Sequence, residues 1–346
     1  MDGSGDIDGT GLAAEARRDC EAIARELGTR TFPWDTTRAL ELALFRTFAS
    51  PRIGVLLDRT GEFRERAQKR YDDTDLIVSE IVEHGCDSER GRRAIARMNA
   101  LHARFTIPNE DFRYVLSTFV LEPLRWNARW GWRRMTERER LGWFWFWRGV
   151  GERMGIAGVP TSLAAFEAQS REYESRCFRY TSANARVATA TREMFAAWFP
   201  RPLRPLVRLS IRGLLDAPLL RAFGLEPAPR IVARAADLAL RLRARVLRVL
   251  PKRRRPKLRT RIARRDYPDG YRIEALGPPP FGGWAVRTSA SRCKPRSQMR
   301  PAAPKMSASP ANAPGSSARR SHGVVSWWSP GSASSRKRPI HSRTAA

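Results

Sequence analysis

Five consecutive aromatic residues, Trp143-Phe144-Trp145-Phe146-Trp147, follow shortly after the pattern Thr136-x-x-Glu139. Threonine with glutamate three residues later is a capping box, in which each side chain satisfies an orphan backbone N–H at a helix start. A helix begun there carries apolar rings around most of its circumference. Such a helix is expected to be central and buried, with other elements packed around it. Strand-like alternation is nearly absent from the chain, so those neighbours are expected to be helices as well. Apolar residues recur instead at the spacing of one helix face. The expected fold is all-α: a single large helical domain with a globin-like or bundle-like core.

The helical periodicity runs from about Thr31 to Tyr271. A stretch of that length suffices for one large domain with a fully buried centre. Residues 1–30 are expected to be peripheral, 31–274 to form the helical domain, and 275–346 to be a disordered, basic, low-complexity tail. Local signals place the helices. Thr36 or Thr37 is expected to cap a helix reaching Phe48, before Pro51. Asp58 to Lys69 reads as a polar loop. Asp72 to His84 reads as a helix ended by Gly85, with His84 as a partner of the helix dipole. Ser88 is expected to cap a helix that ends near Phe105, and Asn109 to cap one from Glu110 to Arg129 that Pro123 should kink or break. Further helices are expected at 161–178, 182–198, 205–215 and 228–250.

The net charge of +29 is local. From Arg241 onward there are 26 Lys and Arg against three acids, which supplies +23 of it. The 72 residues from Ala275 hold no Asp or Glu and are rich in Ser, Pro, Ala and Gly, a composition that cannot bury a core. Out-of-frame translation of a GC-rich gene would give the same composition. The basic tail lacks a folded reader, so a nucleic-acid partner is not expected. Cys20, Cys86, Cys177 and Cys293 show no metal-like spacing and read as free thiols. The polar, acidic start is unlike a signal peptide, and the cytoplasm is the expected compartment, with peripheral membrane contact as an addition.

One histidine stands out. Ile95, Met98, His102 and Phe105 share a helix face, so an ionisable imidazole points inward. Thr74, Ile77, Val78 and Ile81 share another such face. A buried imidazole with a polar group opposite is the minimum equipment of a metal or haem pocket. A lone histidine on an apolar face is more often a core residue with satisfied nitrogens, and the spacing leaves both readings open. The stretch Ile231–Leu250 places Ile231, Ala235, Leu238, Leu242, Val246 and Val249 on one face and arginines on others. It suits either a peripheral helix of the bundle or a weak contact with an anionic membrane.

Several segments carry a resemblance: Lys69-Arg70-Tyr71-Asp72-Asp73-Thr74, Arg97 to Phe105, Ile107-Pro108-Asn109, Thr118 to Trp126, and Gly151 to Ile156. Together they resemble the superfamily of rubber oxygenase (latex clearing protein) and MpaB-type oxygenases, from about Phe45 to Trp198 and more loosely to Tyr271. The resemblance implies an oxygenase domain over 31–274 that holds haem b. It places the proximal iron ligand on His102, and the arginine and threonine of the pocket motif on Arg70 and Thr74. The rubber-cleaving relative has a lysine just before that threonine as a distal ligand. Asp73 stands there in this chain, which puts a polyisoprene substrate in doubt. Arg70, Arg104 and Arg125 are the candidate partners of the haem propionates, because an arginine fork matches a carboxylate. Arg70, Thr74 and Asp73 are the candidate catalytic residues. The expected function is a haem-dependent oxygenase using O2 on a small apolar, isoprenoid-like substrate. The alternative is a non-catalytic or peripheral-membrane binding protein on the same fold.

Overall fold

The computed structural model describes residues 7–278, with side chains from Gly11 onward. The chain order begins with α1 (Ile7–Arg18), α2 (Cys20–Glu26) and a π-helical turn (Leu27–Thr31). Then follow α3 (Pro33–Phe48), α4 (Pro51–Thr60), α5 (Glu62–Glu65), α6 (Ala67–His84), α7 (Glu89–His102) and α8 (Asn109–Trp130). The series continues with α9 (Glu137–Arg153), α10 (Leu163–Cys177), α11 (Ser182–Ala197), α12 (Arg204–Leu214), α13 (Ala217–Phe223) and α14 (Arg230–Val249). Among the described residues the only β pairing is an isolated bridge between Arg264 and Tyr267. The fold is all-α, as the periodicity requires.

The caps with local chemistry are where the sequence places them. Thr136 and Glu139 form a complete capping box on α9, and the Ser88 hydroxyl accepts from the Gly91 N–H on α7. Three other assignments are corrected. α3 starts at Pro33, where proline suits the first helical position, and Thr36 and Thr37 lie inside it, buried. The expected loop over Asp58–Lys69 is mostly helical, because α4 runs to Thr60 and α5 and the start of α6 follow at once. Pro108, not Asn109, precedes α8. The Asn109 amide instead clasps the backbone of Ala157, donating to its carbonyl at 2.8 Å and accepting from its N–H at 2.9 Å.

Pro123 does not break α8. A proline inside a helix leaves the carbonyl four residues back without a donor. Here that carbonyl belongs to Phe119, and the indole N–H of Trp143 donates to it at 3.1 Å. The central helix thus repairs its neighbour. Of the aromatic run on α9, Trp143, Phe144, Phe146 and Trp147 are buried. Trp145 is partly exposed, beneath the guanidinium groups of Arg17 and Arg148.

The later part of the stretch expected to be peripheral belongs to the core. Ile23, Ala24 and Leu27 are buried in the main core with Leu76, Ile81, Trp143 and Phe144. Gly142 on α9 is the reason Ile23 can come so close: a Cβ there would stand 2.5 Å from its Cδ1. At the other end, Ile273 and Leu276 are buried in the same core, so the packed chain extends past Glu274. The remainder of the expected tail lies outside the described residues. A second cluster joins Phe45, Phe48, Phe63, Tyr71, Phe195 and Phe223.

Candidate functional site

α6 carries Arg70 and Thr74 one helical turn apart, and its next turns bury Leu76, Ile77 and Ile81 in the core. The chain reverses at Gly85, whose positive φ of 84° suits glycine. α7 then runs beside α6 and delivers His102 as its last residue. The His102 ring lies edge-on to Phe112 of α8, with ring centres 5.3 Å apart. Its Nδ1 is sealed from solvent and has no hydrogen-bond partner among the described residues. Burial, and then the charge of Arg70, push its pKa down to about 4. The imidazole is therefore neutral at pH 7, with a nitrogen left over.

Arg70 is the cation beside it. Its guanidinium donates to the Thr74 hydroxyl and lies 5.5 Å from the centre of the Phe63 ring. Burial lowers its pKa, and the acids acting against that are Asp73 and Glu62. Both acids are taken. Lys69 pairs with Asp73 at 2.9 Å, and Arg66 pairs with Glu62 at 2.6 Å. Arg70 thus has no carboxylate within ion-pair distance among the described residues. The Thr74 hydroxyl also donates to the Arg70 carbonyl at 3.0 Å.

Thr74 also lines a pocket between α3 and α6, with Leu40, Leu44, Val78 and Phe119 as apolar walls and Glu41, Tyr71, Asp75, Glu83 and Arg259 among its polar members. It holds about 650 Å³ of space, its opening to solvent included. Tyr71 donates to Glu41 at 2.7 Å, and burial raises the Glu41 pKa.

The structure brings His102, Arg70 and Thr74 together and sorts the other candidates elsewhere. Asp73 is buried, but its carboxylate binds Lys69 and the Tyr267 hydroxyl rather than lining the pocket. Arg104 donates to the Pro278 carbonyl at 3.1 Å. Arg125 pairs with Glu122 at 2.7 Å, in the network where Glu122 and Glu174 hold Arg46.

Sequence reasoning missed the arm that fastens α6 and α7. After α14 the chain returns along α6, and arm residues take up its carboxylates. Arg259 and Arg264 bind Asp75, Thr260 and the Arg259 N–H bind Glu83, and Tyr271 binds Glu80. Asp72 and Asp75 thus lie within α6, which already starts at Ala67, rather than at its N-terminus. The arm then crosses to α7, where Arg97 donates to the Leu276 carbonyl at 2.7 Å. A surplus of acids on one helix against a basic segment near the C-terminus was the available signal.

The family model for the catalytic domain of ER-bound oxygenase mpaB/B' and rubber oxygenase matches residues 22–249, about two thirds of the chain. The chain belongs to this oxygenase family. The match starts at residue 22, inside the stretch expected to be peripheral, and ends with α14, before the arm. Among its relatives is ER-bound oxygenase mpaB of Penicillium roqueforti (strain FM164), 33% identical over 152 residues, which cover 42% of this chain and 51% of the relative. ER-bound oxygenase mpaB' of Penicillium brevicompactum is 28% identical over 226 residues, covering 60% of this chain and 53% of the relative. ER-bound oxygenase mpaB of the same species is 31% identical over 153 residues, with 42% and 39% covered. The chain spans about half the length of the curated relatives it matches. Among the described residues no helix is long and apolar enough to cross a membrane.

Proposed function

We propose that this chain is an oxygenase that holds haem b on His102 and uses O2 on an apolar, isoprenoid-like substrate. The observation that carries the reading is a neutral, largely buried imidazole with an orphaned nitrogen, next to a cation whose nearby acids are already paired. A structural histidine would be expected to satisfy both nitrogens. Among the described residues no cluster of three or more His, Cys, Asp or Glu is placed to hold a bare metal ion. A single imidazole suits an iron that arrives already held by its own macrocycle.

The residues present fit that group. His102 would hold the iron, and Arg70 would pair a propionate, since an arginine fork matches a carboxylate. When bound, haem supplies the O2 chemistry. The chain supplies orientation and an apolar wall. Phe112 fixes the edge of the imidazole, and the Arg70–Thr74 bond holds the guanidinium in place. Leu40, Leu44, Val78 and Phe119 give the adjoining pocket apolar walls that favour an apolar substrate. The Thr74 hydroxyl lines that pocket as well, donating to the Arg70 carbonyl while it accepts from the guanidinium.

The test is an absorption spectrum of the purified full chain titrated with haemin, followed by oxygen uptake with an isoprenoid alkene. Binding near one haem per chain with a Soret band, and alkene-dependent uptake, are expected. A chain that takes up no haem, or takes it up without any alkene-dependent oxygen uptake, contradicts the reading.

A further inference from the structure

α14 is apolar on two sides, and the fold uses only one. On the inner side Leu240 packs with Trp126 and Trp130, and Arg243 pairs with Asp35 while lying 3.7 Å above the Trp34 ring. Asp237, the only acid on the helix, also turns inward, accepting from the Trp130 indole at 3.0 Å. The outer side carries a stripe that is mostly exposed among the described residues. Ile231 is 78% exposed, Leu238 62%, Leu242 56% and Val249 84%. Leaving four such side chains in water on one stripe is costly, because each forgoes most of its burial energy.

A basic row runs beside that stripe. Arg230, Arg234 and Arg245 are exposed and have no carboxylate partner among the described residues. Directly after the helix, Lys252-Arg253-Arg254-Arg255 is exposed as well. An apolar stripe flanked by cations is the pattern of a helix lying in a lipid interface, its apolar face among the acyl chains and its arginines at the headgroups. A second copy of the chain fits less well, because it would bring a second row of arginines to the same seam.

We propose that the outer face of α14 docks on an anionic membrane surface. The stripe enters the interface, and the row from Arg230 to Arg255 pairs with acidic headgroups. This rests on the exposed face alone and is independent of the haem reading.

The test is co-sedimentation of the full chain with vesicles of phosphatidylcholine alone, or with about 30% phosphatidylserine, a composition giving an anionic surface. The wild-type chain is expected to bind the phosphatidylserine vesicles far more strongly, and to be released by salt. L238E/L242E should weaken that binding at least tenfold. R234Q/R245Q should weaken it by about fivefold per arginine on anionic vesicles only. All four positions are exposed, so thermal melting should not change. I231Q/V249Q serves as a replacement if the first variant fails to fold. Absence of wild-type binding overturns the proposal, as does unchanged binding of both variants, in which case charge elsewhere in the chain is responsible. A dimer that L238E/L242E converts to a monomer in analytical ultracentrifugation also overturns it, assigning the face to a second copy.

Discussion

Arg70 and His102 lie close enough for the guanidinium charge to depress the imidazole pKa, with no carboxylate acting on the histidine to offset it. Two basic groups brought together in a partly buried place cost the fold stability. The proposed haem, with its acidic propionates, would offset that cost.

Replacing Arg70 with methionine tests this pairing. Removing a buried cation that lacks an acid partner should leave stability unchanged or raise it. The His102 pKa should rise from about 4 but stay below 6.5, because burial is the larger cause of its depression. The sign follows from linkage. A histidine depressed in the folded state contributes stability that is present above its unfolded pKa and is lost as pH falls through about 4. In the variant that loss should be complete at a higher pH and be smaller. An NMR titration in which the His102 pKa does not move would show that the two side chains are not neighbours.

Asp72 gives a pH dependence of opposite sign. Burial raises its pKa to about 6, only partly offset by Gln68 and Arg264, and its Oδ2 has no partner among the described residues. A raised carboxyl contributes stability that is complete below its unfolded pKa of about 3.9 and is lost as pH rises through about 6. Asp72→Asn should therefore be more stable than wild type at pH 7, by an amount on the order of 2 kcal/mol. It should also flatten the stability profile between those values. Denaturant melts at pH 4 and pH 7 check both points, and a variant less stable at pH 7 contradicts the account.

Trp143 and Pro123 should be energetically coupled through the Phe119 carbonyl. Trp143→Phe leaves that carbonyl without its donor, a cost of about 1–3 kcal/mol beyond lost packing. With Pro123→Ala in place, a backbone N–H can reach the same carbonyl, and the penalty should shrink by about 1 kcal/mol. A double-mutant cycle by chemical denaturation measures the coupling. Additive effects would mean that the indole bond contributes nothing.

The fit of α2 against α9 can be probed at Gly142. Gly142→Ala drives a methyl into Ile23 and should cost about 1–3 kcal/mol, the usual range for overpacking. Ile23→Ala makes room, so the glycine change should cost little in that background. Equal costs in both backgrounds would return residues 20–26 to the periphery.

What was legible in the sequence was local. The capping box at Thr136 and Glu139 and the Ser88 cap depend on residues three apart, and both stand where they were read. The inward placement of Thr74 and His102 follows from spacing within single helices. What failed depended on distant partners. Proline 123 reads as a break unless Trp143 is known to reach Phe119. Arginines look alike in sequence, yet Arg125 is drawn to Glu122 and Arg104 to the Pro278 carbonyl, whereas Arg70 finds its nearby acids already paired. The carboxylates of α6 are matched by an arm more than 170 residues later, and no local pattern encodes that.

The central claim is that His102 is the ligand, and one spectrum decides it. The full chain and His102→Ala are each titrated with haemin, and their absorption is compared while circular dichroism monitors the fold. A helical His102→Ala chain that no longer retains haem or shows the wild-type Soret band is the predicted result. Retention of haem with an unchanged spectrum would contradict the assignment and remove the main residue-level support for haem-dependent oxygenase chemistry at this site.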